Sequence, residues 1–112
     1  MTARRGDSAA LIAKGTAVEI PVTYTCSTDA SWGGIELFVT ERVPGQRTAQ
    51  GGSSAFGLVC DGTEHLAAVT VPSTNGIAFH RGTAIVTGSL YAADQYGYAT
   101  HVPLSGSVDV RN

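Results

Sequence analysis

Charge is the scarcest commodity in this chain: only 14% of its 112 residues are charged, and Lys14 is the one lysine. The formal net charge is −2 and the only basic pair is Arg4-Arg5. Binding to a phosphate backbone needs clustered Lys and Arg, so no nucleic-acid partner is expected. No apolar run approaches the roughly 20 residues that a helix needs to cross a bilayer, so no membrane span is expected either. Helical periodicity over ten or more residues is also missing. Helix-favouring residues give way to Thr, Ser and Gly, together about a third of the chain. Cysteine occurs twice. Cys26 and Cys60 form an even pair in a small chain, which favours one disulfide and an oxidising setting, with two buried thiols as the alternative.

What the chain does have is alternation. Val18, Ile20, Val22, Tyr24 and Cys26 share one face, and Glu19, Pro21, Thr23 and Thr25 the other. That is a strand with one buried and one wet side. Pro21 has no amide hydrogen to give a ladder, which suggests that its nitrogen faces away from a partner. Ala9–Lys14 is a shorter first strand. Ile35, Leu37 and Val39 alternate with Glu36, Phe38 and Thr40 in a third. Arg47–Phe56 is small, polar and Gly-rich, a weak edge strand. Leu66–Val71, Thr83–Ala92 and the phased Val102, Leu104, Val108 and Val110 complete the set. About seven short strands, separated by turns such as Pro44-Gly45, Asp61-Gly62 and Asn75-Gly76, predict an all-β, two-sheet antiparallel sandwich. The length suits one domain over residues 9–112, preceded by a flexible N-terminal segment, residues 1–8. Met1–Ser8 lacks the apolar stretch of a secretory leader, so export would require a leader already removed or another route.

The succession Leu11-Ile12-Ala13-Lys14-Gly15-Thr16-Ala17-Val18, then Tyr24-Thr25-Cys26, Val59-Cys60-Asp61-Gly62-Thr63 and Arg81-Gly82-Thr83-Ala84 resembles a group of small immunoglobulin-like domains. Such domains occur in secreted and surface proteins of high-GC actinobacteria, and similar sandwiches decorate phage capsids and tails. The resemblance spans about residues 9–110 and implies an immunoglobulin-like sandwich on a cell surface or virion exterior. It implies no particular activity. In antibody-type domains the cysteines join the second strand to the sixth, with a tryptophan between them on the third. Here Cys60 precedes the fifth strand and Trp32 the third. The bridge would then tie strands two and five at one pole, with Trp32 capping the core there.

Catalytic motifs are absent. No serine sits in a G-x-S-x-G elbow, and Ser53 and Ser54 lie in a polar stretch with no histidine nearby in sequence. His65, His80 and His101 lack zinc-site spacing. Asp61 and Glu64 could offer oxygens to calcium, but Asp61-Gly62 is already explained as a turn. Arg5-Gly6-Asp7 spells an integrin-type tripeptide and reads as coincidence. No catalytic residue, metal or cofactor is therefore expected. The candidate contact surface is Tyr91, Asp94, Gln95, Tyr96 and Tyr98, because tyrosines on a Gly-containing loop give large contact area at low entropic cost. The expected function is a non-enzymatic structural or binding module on an exterior surface. It would act through a protein partner, self-assembly or a cell-wall or glycan contact. The alternatives are a small-ligand or carbohydrate-binding domain and, less favoured, a cell-wall-acting enzyme. A ligand cavity between the sheets is disfavoured by the small side chains Ala68, Ala84, Gly88 and Gly106, read as facing inward.

Overall fold

In the computed structural model, which describes residues 1–112, the alternation read from the sequence becomes strands with one buried side. β3 (Ala17–Thr25) buries Val18, Ile20, Val22 and Tyr24, while Glu19, Pro21 and Thr23 stay half-buried. β6 (Glu64–Pro72) runs antiparallel along one edge of β3, in unbroken register from Ala17↔Pro72 to Thr25↔Glu64. The other edge is shared by β1 (Thr2–Arg5) and β2 (Ser8–Ile12). The step between them falls at Pro21. Its carbonyl accepts the Gly6 N–H at 2.8 Å, but its ring nitrogen has no hydrogen to offer. The missing donor therefore lies where the neighbouring strand is interrupted, in keeping with the sequence expectation.

β2 links two layers. Ala10–Ile12 pair with β3, whereas Ser8–Ala10 run parallel to β9 (Gly106–Arg111). From β9 the second layer continues through β7 (Gly82–Asp94) and β4 (Ala30–Val43) to β5 (Arg47–Phe56). β8 (Ala99–Pro103) lies on the same edge of β7 as β9. Every pairing except β2–β9 is antiparallel, so the sheet is mixed. The core lies between the layers. Ile20, Val22, Val69 and Val71 come from β3 and β6; Leu37, Val39, Val86, Leu90 and Val108 come from β4, β7 and β9. The result is an all-β, sandwich-like body 49 Å long and 22 by 21 Å across, with one 3-10 turn at Ala13–Gly15 and no α-helix.

Three expectations need correction. Residues 1–8, expected as a flexible segment, contribute β1, which lies along β3 from Thr2↔Thr25 to Arg5↔Val22, because main-chain groups on that edge of β3 take a partner strand. The strands number nine, not about seven. β1 is additional, and a backbone break at Leu104-Ser105 divides what side-chain phase reads as one final strand into β8 and β9. Ala68 faces solvent, since it shares the outward phase of Leu66 and Thr70.

β5 pairs with β4 along its whole length and is an edge, but only half of that edge is open. The loop after β6 closes the rest. Thr74 N–H donates to Gln50 O at 2.8 Å, and Asn75 Nδ2 to Thr48 O at 2.9 Å. Ala49 beneath is fully buried, although a polar, Gly-rich segment was expected to bury little. Amide exchange should therefore be at least about tenfold slower at Gln50 than at Ser54, which points the same way from the open half. Asn75→Ala should remove most of that difference. Equal rates in the wild-type protein would show that the loop does not hold the edge.

Candidate functional site

The β7–β8 turn is built by Asp94. Its Oδ1 accepts the backbone N–H of Tyr96 at 2.9 Å and of Tyr98 at 3.0 Å, and its carbonyl accepts Gly97 N–H at 3.1 Å. Asp94 thus braces the turn, while Gln95, Tyr96 and Tyr98 project from it, both tyrosines more than three-quarters exposed. Tyr91 does not belong to this loop. It lies within β7, paired with Gly34 of β4 on one side and His101 of β8 on the other. The five sequence candidates therefore divide into a turn and a sheet position.

Tyr91 is held in an unusual way. A Cβ at Gly34 would sit 2.7 Å from both the Cζ and the hydroxyl of Tyr91, so the phenol lies down across the β4 backbone where only glycine leaves room. Tyr91 is half-buried, with its ring against Gly34. Trp32 meets this ring at 75° with centroids 5.5 Å apart, and His101 flanks it at 6.1 Å, tilted by 35°. Phe56 of β5 is the partner of Gly34 on its far side, so His101, Tyr91, Gly34 and Phe56 form one row across four strands. The next row is Pro103, Ser89, Glu36 and Ser54, and below it Thr87, Phe38 and Gly52.

Trp32 was expected to cap the core. It is instead 52% exposed, at an irregularity where the β4–β7 register shifts between Ala30 and Trp32. Trp32, Phe38, Phe56 and Ile85 all expose large apolar surface on this face of the β8–β7–β4–β5 layer. On the outer face of β3 and β6, Leu66 is the single comparable residue. The aromatic face was not evident from a third strand beginning at Ile35, because β4 in fact starts at Ala30 and includes Trp32 and Gly34. The available signal was Phe38, at an outward-facing position of a strand.

Cys26 and Cys60 are bonded, with Cα atoms 4.4 Å apart. The bridge joins the end of β3 to the segment entering β6, where Gly62 N–H also donates to Cys26 O at 2.9 Å. Beside it, one oxygen of Asp61 accepts the Thr63 hydroxyl at 2.7 Å, the Thr63 N–H at 3.0 Å and the His65 Nε2 at 2.9 Å. The Thr63 hydroxyl bond, then the Thr63 backbone and His65, hold the Asp61 carboxyl down to about 2. His65 meets Asp61 and Thr63 through the same ring nitrogen, so the ring cannot relay a proton between them. This cluster is a turn brace.

Glu41 follows Ile35, Leu37 and Val39 on the inward side of β4 and is 2% exposed. Its Oε1 accepts His80 N–H at 2.7 Å, while Oε2 has no hydrogen-bond partner. Burial pushes its carboxyl up from 4.5, partly offset by the His80 N–H bond and the His80 charge. No three His, Cys, Asp or Glu side chains converge where they could hold a metal ion, and no helix is long and apolar enough to cross a membrane.

No family model, curated protein or solved structure matches this chain. The candidate site therefore rests on its own geometry: a face of aromatic side chains on one layer, beside a turn that exposes two tyrosines.

Proposed function

We propose that this chain is an immunoglobulin-like domain that serves as a non-enzymatic binding or assembly module on an exterior surface, of a cell or a virion. The fold reading is supported by the two-layer pairing: β1–β3–β6 on one side, β9 and β8 with β7, β4 and β5 on the other, and β2 crossing between them. The disulfide suits an oxidising location. A single observation carries the functional reading, the confinement of exposed Trp32, Phe38, Phe56 and Ile85 to one sheet face. A folded domain gains nothing from leaving such side chains wet on one face, whereas a contact surface does.

The contact face runs along β4 and β7 from Trp32 and the Tyr91 row to Phe38 and Ile85, and Tyr96 and Tyr98 lie at its rim. Hydroxyl-radical footprinting of the protein in its native assembly should protect Trp32, Phe38, Phe56 and Ile85 relative to the isolated chain. Protection confined to Leu66 and the β3–β6 face would overturn this reading. Tyr96→Ser with Tyr98→Ser should change folding stability by less than about 1 kcal/mol, as exposed substitutions do. If urea denaturation shows a larger loss, the tyrosines support the fold and are not rim contacts.

A further inference from the structure

The geometry points to a specific ligand class for this face: we propose that Tyr91, Trp32 and His101 form a stacking subsite for a pyranose ring of a neutral glycan. The proposal rests on the reading of this face as the contact surface and names what the surface takes. A sugar ring presents one side as a patch of polarised C–H bonds and its rim as hydroxyls. The C–H side packs on the electron-rich face of an aromatic ring. Tyr91 is half-buried with its phenol packed on Gly34, and the Trp32 and His101 rings beside it are exposed and offer such faces. Trp32 meets Tyr91 at 75° and His101 flanks it from β8 at 6.1 Å, so the three rings form one aromatic cluster.

The surrounding chemistry suits hydroxyls. One register step below lie Ser89, Glu36 and Ser54, each able to accept a hydrogen bond from a sugar O–H, and the two serines able to donate one. Charge complementarity narrows the class further. Neither the Tyr91 row nor the Ser89 row contains a lysine or arginine, and His101 is the one residue there that can become cationic, so a phosphorylated or carboxylated ligand would meet no permanent counter-charge and would face Glu36. A neutral polyol has no such penalty. The row spans four strands at about 4.8 Å each, close to the rise of one sugar residue, so a short oligosaccharide could run from His101 toward Phe56. A quaternary ammonium ion fits less well. Trp32 and Tyr91 are already in edge contact at 5.5 Å, with no room for a cation between them.

Trp32 is the chain's one tryptophan, so its fluorescence reports on the subsite directly. The probes are chitotetraose, cellotetraose, xylotetraose and mannotetraose, each titrated to millimolar concentration, with choline chloride alongside. At least one tetrasaccharide should give a saturable change in Trp32 emission. His101→Ala and Tyr91→Ala should weaken that binding by about tenfold or more, the scale of losing an aromatic anchor. Leu66→Ser, on the outer face of the other layer, should leave it unchanged. Since Tyr91 is part-buried, Trp32→Ala and His101→Ala, read by calorimetry, provide exposed-site versions that do not depend on its packing. A response to choline alone, no response to any tetrasaccharide, or wild-type affinity in both exposed-site variants overturns the sugar assignment. If footprinting still protects the face in that case, the contact reading stands and only the ligand class fails.

Discussion

A Cys26→Ala, Cys60→Ala double variant is expected to be about 4 kcal/mol less stable than the wild-type domain, on the chain-entropy account of loop closure. The bridge spans 34 positions of sequence, so its removal frees a long loop in the unfolded chain. The folded state loses little in compensation, because β3 and β6 remain fully paired up to Thr25↔Glu64. A small domain commonly has about 5–15 kcal/mol in total, so this loss is a large fraction. Guanidinium unfolding should show a lower midpoint, and reducing the wild-type protein should reproduce the shift. A change under about 1 kcal/mol would mean that the reduced chain keeps this loop closed through residual structure.

Glu41→Ala is the second large effect, with an expected cost of about 3 kcal/mol. The substitution strands the His80 N–H in the interior and leaves a cavity where the side chain was. Glu41→Gln should behave differently. Its amide can still accept from His80, and it brings a donor and no charge to the position where Oε2 now has no partner. The pH dependence separates the two effects. Burial raises the native carboxyl above 4.5, so the native state holds that proton more tightly than the unfolded chain does. The resulting stabilisation is fully present below pH 4.5 and is lost as pH rises through the native value. Relative to wild type, Glu41→Gln should therefore gain stability on going from acid to neutral and alkaline pH. A difference between the two proteins that stays constant across that range would show that Glu41 titrates normally.

Asp61 works in the opposite direction. Its carboxyl is held down to about 2, so its contribution is present above the ordinary 3.8 and is lost as pH falls toward the lower value. The two acids illustrate how position decides behaviour: Asp61 sits in an exposed turn with three donors on one oxygen, and Glu41 faces the core with one.

The amino-acid sequence by itself determined that the chain is built from strands and which side of most of them is buried. The Val18–Tyr24 and Ile35–Val39 alternations are local properties, because successive side chains on a strand point to opposite faces whatever it pairs with. The same rule extended two residues further points Glu41 inward, although its charge made a surface position the natural reading. The pairing of the cysteines was also legible, since their places at the end of one strand and before another follow from strand order. Tertiary structure alone decided the rest. β1 exists because β3 has an edge to fill, which nothing in Thr2–Arg5 announces. The closed half of the β5 edge depends on a loop more than twenty residues away, through bonds from Thr74 and Asn75. The aromatic face needed cross-strand register: Tyr91, Gly34, His101 and Phe56 are scattered along the chain and become one row only when β8, β7, β4 and β5 are aligned. Strand periodicity fixes which face a side chain takes, but its neighbours on that face are set by non-local pairing.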